Sequence, residues 1–371
     1  MKKIFLFISL ISLMYACSSS DNSDDSITDN YDRTAMLTHW ADNIIIPSYE
    51  NYDDTMQTLS YDVINFTTTP TEANLQTVRS SWINAYKAYQ KVTLFYVGKA
   101  TEINFKETTN TYPTDATAIE NNIASGSYNL DLLSQYSKQG LPALDYLING
   151  LGSTDADILT FYTSNTNANK YKQYLLDVTN KLKANSNSVV ADWNSSYRNT
   201  FISSNGNTVS SSVNVITNLF VKNLEKDIRS GKIGIPAGVF SSGTLFPEKV
   251  EAFYKKDISK ELLNTAIQAQ QDFFNGKNFN SSSTGPSLKS YLDYVNAVRS
   301  DQNLSDVINN QFTSSYTVNN LLDNNFSYQV STDNSKMLNA YDVLQQNVVY
   351  IKLDMMQALN ITIDYVDSDG D

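Results

Sequence analysis

Met337, Tyr341, Leu344, Val348, Ile351, Met355 and Ala358 follow one another at steps of 4, 3, 4, 3, 4 and 3 residues. Only an α-helix puts all seven on one stripe, so this run predicts a helix packed along others in an antiparallel bundle. The same spacing recurs upstream. Leu75, Val78, Trp82, Ala85, Tyr86, Tyr89 and Tyr96 predict a helix over about 72–96. Tyr171, Leu175, Val178, Leu182, Val189 and Trp193 predict one over about 171–197, and Val213, Ile216, Phe220, Leu224 and Ile228 another. Pro47 suits the first turns of a helix carrying Tyr49, Tyr52, Met56 and Leu59. Further helices are expected near 259–274, 288–298 and 304–312. Strand signals are scarce, and Ile361-Thr362-Ile363 is too short to carry a sheet. The fold class is therefore all-α.

Residues 149–169 are rich in Gly, Ser, Thr, Asn and Asp and predict a connection. This divides the chain into helical bundles at 31–160 and 161–371. Residues 231–247 hold Gly231, Gly234, Gly238, Gly243, Pro236 and Pro247 and are expected to form a loop with special backbone needs.

The N-terminus carries an address. Lys2 and Lys3 precede an apolar run over 4–15 that is too short to span a bilayer and matches a signal-peptide core over 1–16. It ends Leu13-Met14-Tyr15-Ala16-Cys17, which resembles a bacterial lipobox. Cys17 is the chain's only cysteine, so acylation there is expected, with residues 17–30 as a polar tether. The expected place is the outer membrane, on its periplasmic or surface face. Losing Lys2 and Lys3 takes the net charge from −12 to about −14, which repels phosphate backbones and argues against nucleic-acid partners.

Gly140-Leu141-Pro142-Ala143-Leu144-Asp145-Tyr146-Leu147-Ile148-Asn149-Gly150 reads as a short helix. Gly140 gives a flexible entry, Leu144, Leu147 and Ile148 form an apolar face, and Gly150 suits a left-handed cap. Asp145 lies off that face. The one histidine, His39, has no partner at metal-ligand spacing and is expected to be a surface or capping residue. The acidic ending Asp364–Asp371 lacks the EF-hand pattern and reads as a solvated tail.

The Gly140 helix resembles the Gly-x-His-x-x-Glu helix of imelysin-like proteins, the M75 peptidase family, with Pro142 at the His position and Asp145 at the Glu position. Pro47-x-Tyr49-Glu50, the Trp82 helix, Tyr112-Pro113, the stretch with Arg229, Gly234, Pro236 and Gly238, and Val250-Glu251-x-x-Tyr254 are similar too. The resemblance implies two helical bundles related by approximate duplication, with the motif helix facing a crevice between them. It implies a site at Gly140, Pro142 and Asp145, with Tyr112, Asp115, Arg229, Lys232, Gly234, Pro236 and Gly238 as crevice candidates. Members are described as peptidases and linked to iron acquisition. Pro142 cannot coordinate a metal, so the expectation is a lipid-anchored binding protein in iron or nutrient acquisition without peptidase activity. No cofactor is expected, and iron or another cation would bind only weakly through oxygen ligands. A surface adaptor docking another protein and a divergent metallopeptidase are the competing readings.

Overall fold

The structure, a computed structural model, describes residues 29–365. The signal segment, Cys17, most of the tether and the last six residues lie outside that range. From Asp32 onward the chain forms one contact-rich unit. Among the described residues it is built from helices, with one two-residue antiparallel strand pair, Val298–Arg299 against Gln302–Asn303. Among the described residues no helix is long and apolar enough to cross a membrane.

Helix α1 (Arg33–Trp40) runs through a π-helical turn, Ala41–Ile45, into α2 (Ile46–Thr68), with Pro47 in its first turn. Thr71 caps α3 (Glu72–Gln90) by accepting from the Asn74 N–H at 3.2 Å. The expected helix to residue 96 stops six residues earlier, and Gly98 follows in a left-handed conformation at φ 58°. After short helices at Lys99–Glu102, Phe105–Asn110 and Ala116–Ser125 comes the motif helix α4 (Gly140–Asp145), and the next long helix is α5 (Ala168–Asp192).

Helices α2, α3 and α5 pack side by side. Tyr52, Met56, Leu59, Val63 and Phe66 of α2 and Tyr171, Leu175, Val178, Leu182 and Val189 of α5 are all buried, as is Trp82 of α3. Asp53 of α2 accepts the Ser186 hydroxyl of α5 at 2.6 Å, so the one carboxylate in that seam is paired. Thus α5, expected to open a second bundle, completes the first. Residues 149–169, expected to be a connection, contain a helix of their own, Asp155–Thr163, with a Thr154–Asp157 capping box.

The second set comprises α6 (Ser212–Lys222) with its π-helical continuation Asn223–Gly234, α7 (Ser259–Phe274), α8 (Leu304–Asn319) and α9 (Asn334–Val349). α9 packs on α8 and on the π-helical stretch, burying Met337, Leu344 and Val348 as the 4–3 spacing requires. The loop expected from Gly231 begins only after Gly234. Glycine is tolerated inside this helix because something sits where a side chain would be: a Cβ on Gly234 would lie 2.7 Å from the Tyr341 ring. His39 is a correction as well. It is buried, with Nε2 2.9 Å from the Gly276 carbonyl oxygen, and the bare face of Gly285 is packed against its ring.

Candidate functional site

The motif helix is held at both ends by side chains from elsewhere. Gly140 is not a flexible entry. Its φ is 84°, and a Cβ there would lie 2.4 Å from the Thr109 carbonyl oxygen. After Asp145 the helix widens into a π-helical turn, Tyr146–Gly150. Such a turn and the helix end leave carbonyls to be satisfied from outside. Trp82 Nε1 donates to the Leu141 carbonyl at 3.0 Å, the Tyr162 hydroxyl to that of Leu147 at 2.7 Å, and Arg79 Nε to that of Ile148 at 3.0 Å. Gly150 is not a left-handed cap. It is bare because the Tyr254 ring would meet its Cβ at 2.4 Å.

Asp145 is buried. Its Oδ2 accepts the Tyr254 backbone N–H at 2.9 Å, and its Oδ1 accepts the Lys255 N–H at 2.9 Å and the Asn149 amide at 3.0 Å. Burial pushes its carboxyl up to about 7, against the pull of these three donors and the Lys255 charge. Pro142 and Asp145 line a cavity of about 160 Å³ with Tyr112, Pro113, Glu248 and Phe253.

On the far side of Tyr112 lies a second cavity, of about 100 Å³, reached by Gln90, Asn110, Asp227 and Lys232. There Lys232 Nζ pairs with Glu251 Oε2. Both are buried, and Oε1 of Glu251 takes hydrogen bonds from Gln90 at 3.1 Å and Asn110 at 2.8 Å. Burial, with the Glu251 charge behind it, holds the Tyr112 phenol well above its ordinary range, so it stays a neutral wall between the two cavities. A Cβ on Gly231 would lie 3.4 Å from that hydroxyl.

The other expected residues scatter. Arg229 is buried in a separate ionic cluster. It stands 3.8 Å from Glu225 and 4.8 Å from the centre of the Tyr341 ring, and Glu225 also takes Lys352 Nζ at 3.3 Å and the Tyr365 hydroxyl. Asp115 is an exposed helix cap, accepting the Ala118 N–H at 2.9 Å. Gly234 seats Tyr341. Pro236 and Gly238 shape a turn, the Pro236 carbonyl accepting the Phe246 N–H at 2.9 Å and Gly238 sitting at φ 81°. Glu251, Gln90 and Asn110 went unremarked as site residues. The one signal for them was Glu251 at the head of Val250-Glu251-x-x-Tyr254.

Among the described residues no three His, Cys, Asp or Glu side chains come together in a way that could hold a metal ion. The donor set at Asp145 does not fit a transition metal either: one carboxylate bonded to two backbone N–H groups, beside a proline.

A wider crevice, of about 1080 Å³, lies elsewhere, between α2, α3 and α7. Neither the motif residues nor the other crevice candidates line it. α3 separates the two regions: Lys87 and Lys91 face the crevice, and Tyr89 and Gln90 face the Lys232 cavity.

Solved structures that share this fold include two at 16% identity. One match is an imelysin-like protein from Psychrobacter arcticum 273-4, with a TM-score of 0.68 over 90% of this chain and 97% of that one. The other is a putative iron-regulated protein A precursor from Parabacteroides distasonis ATCC 8503, with a TM-score of 0.69 over 87% of this chain and 95% of that one. No curated protein matches the sequence. The family model of imelysin, peptidase M75, matches residues 45–350, and the chain belongs to the imelysin family.

Proposed function

We propose that this chain is a lipid-anchored binding protein of nutrient or iron acquisition that does not hydrolyse peptides. The observation that carries the reading is the state of Asp145. Both of its oxygens accept backbone N–H groups, so it ties the 254–255 backbone to the motif helix, which argues against work as a metal ligand or base. Pro142 beside it brings neither imidazole nor carboxylate. The name of the Parabacteroides neighbour supports a link to iron, and the lipobox-like junction at Cys17 supports anchoring. Three acyl chains would hold the protein on a membrane, since two lipid signals already suffice.

The test pairs wild type with Pro142→His. After dialysis, elemental analysis is expected to find no stoichiometric zinc or iron in the wild type, and peptide substrates are expected to remain intact. Stoichiometric metal together with metal-dependent hydrolysis would overturn the reading. Anchoring is tested by Cys17→Ala, which is expected to move the protein out of the membrane fraction or block its processing.

A further inference from the structure

The large crevice exists because three helix faces that meet there lack the side chains to close it. Ser48, Asn51 and Thr55 on α2, Asn84 on α3, and Asn264 and Gln268 on α7 all line it. Each run keeps the 3–4 spacing that elsewhere in this chain carries Leu, Ile, Tyr or Phe into the core. Short polar side chains at these positions leave space and line it with groups that both donate and accept hydrogen bonds. At about 1080 Å³ the space is large enough for a ligand of several rings.

The charges around the crevice are not equivalent. Lys87 pairs with Glu261, Lys277 stands 3.3 Å from Asp272, and Lys260 donates to the Leu322 carbonyl at 2.8 Å. Lys91 is different. Among the described residues it has no carboxylate within ion-pairing distance, and its Nζ stands 5.1 Å from the centre of the Phe279 ring. Burial pulls its ammonium below the ordinary lysine range, against the more distant Asp272. A half-desolvated cation without a carboxylate is where an anionic group gains most on arrival. Asn278 adds a second open valence. It lines the crevice, and its Oδ1, shielded from solvent, has no hydrogen-bond partner among the described residues, so a small turn of its amide would present an acceptor to a ligand hydroxyl.

Taking the chain as a binding protein, we infer that the crevice between α2, α3 and α7 binds a hydroxylated organic acid, with its carboxylate at Lys91 and its hydroxyls on the surrounding side-chain amides. The site shares no residue with the motif cavity at Asp145. Phe279, which carries Lys91 over its ring, also gives the ligand an apolar face to lie against.

Titration calorimetry on the folded chain tests this with three probes: trigalacturonate, citrate and the neutral maltotriose. At least one of the two acids is expected to bind with a Kd below about 1 mM. Lys91→Met is expected to weaken that binding by at least about tenfold and Lys91→Arg to retain most of it, while Lys181→Met, a change at a distant surface lysine, leaves it unchanged. Circular dichroism confirms that each variant is folded, and Lys91→Gln, which also removes the charge and carries the same expectation, stands in if the Met variant is not. The inference is overturned if neither acid binds, if Lys91→Met binds as well as wild type, or if maltotriose binds as tightly as the acids. The last result would leave a binding protein with a neutral ligand. Metal-dependent peptide hydrolysis would instead overturn the binding reading itself.

Discussion

Asp145 shows how one carboxylate can change from a chemical group into a structural one. Its folded-state carboxyl titrates near 7 against an ordinary 3.8. Between those values the native chain holds a proton that the unfolded chain has released, so stability falls as pH rises from about 4 to 7 and levels off above. The fall is expected to be on the order of 1–4 kcal/mol. Urea midpoints measured across that range should decline in wild type and stay flatter in Asp145→Asn, whose amide does not titrate. Equal slopes in the two proteins would remove this account. Gly140 makes a second demand at this scale. Gly140→Ala would strain a positive φ and push a methyl into the Thr109 carbonyl, a loss expected to reach about 2 kcal/mol or more. The sequence showed that both residues mattered but not how. A left-handed φ and two backbone N–H groups arriving from 109 residues away leave no trace in local spacing.

At the scale of elements, periodicity located the helices well and their ends poorly. The bounds 259–274 were legible because Leu262, Leu263, Ala266, Ile267, Phe273 and Phe274 keep one buried face. The continuation of α6 to Gly234 was not, because glycines at 231 and 234 read as breakers when their packing partners, Tyr112 and Tyr341, are remote in sequence. The π-helical turn after Asp145 was hidden for a similar reason, since its carbonyls at Leu147 and Ile148 are satisfied by Tyr162 and Arg79 from other helices. Tyr162→Phe keeps the ring packing and deletes only the bond to the Leu147 carbonyl. Its expected cost is about 1 kcal/mol in a denaturation series, and a loss several times larger would mean that the turn itself had rearranged.

Across the whole molecule, the buried Lys232–Glu251 pair joins the two packing sets, because Glu251 also takes amides from Gln90 and Asn110. Breaking one side of such a pair leaves a desolvated charge, so Lys232→Met is expected to cost about 3–5 kcal/mol. Adding Glu251→Gln should restore part of that loss, because the leftover charge is gone. Thermal unfolding of wild type should run as one transition, and two well-separated transitions would mean that the pair does not couple the halves. The all-α class was legible from spacing alone. The partition of helices was not, because composition marks where a chain is polar and says nothing of which bundle the next helix will join. Hence α5 lay on α2 where a boundary had been expected.

The end of the chain bears on the order in which the protein can be made. Asn214 and Asn218 of α6 clasp the backbone at 362–364: the Thr362 carbonyl takes the Asn218 amide at 2.8 Å, and their side-chain oxygens accept the Thr362 and Asp364 N–H groups at 3.1 and 3.0 Å. Tyr365 then reaches Glu225. On the ribosome these partners are made well over a hundred residues before the segment they hold. The packing of α2, α3 and α5 can form once α5 has emerged, whereas α6 must wait for the 362–364 backbone before its asparagines are satisfied.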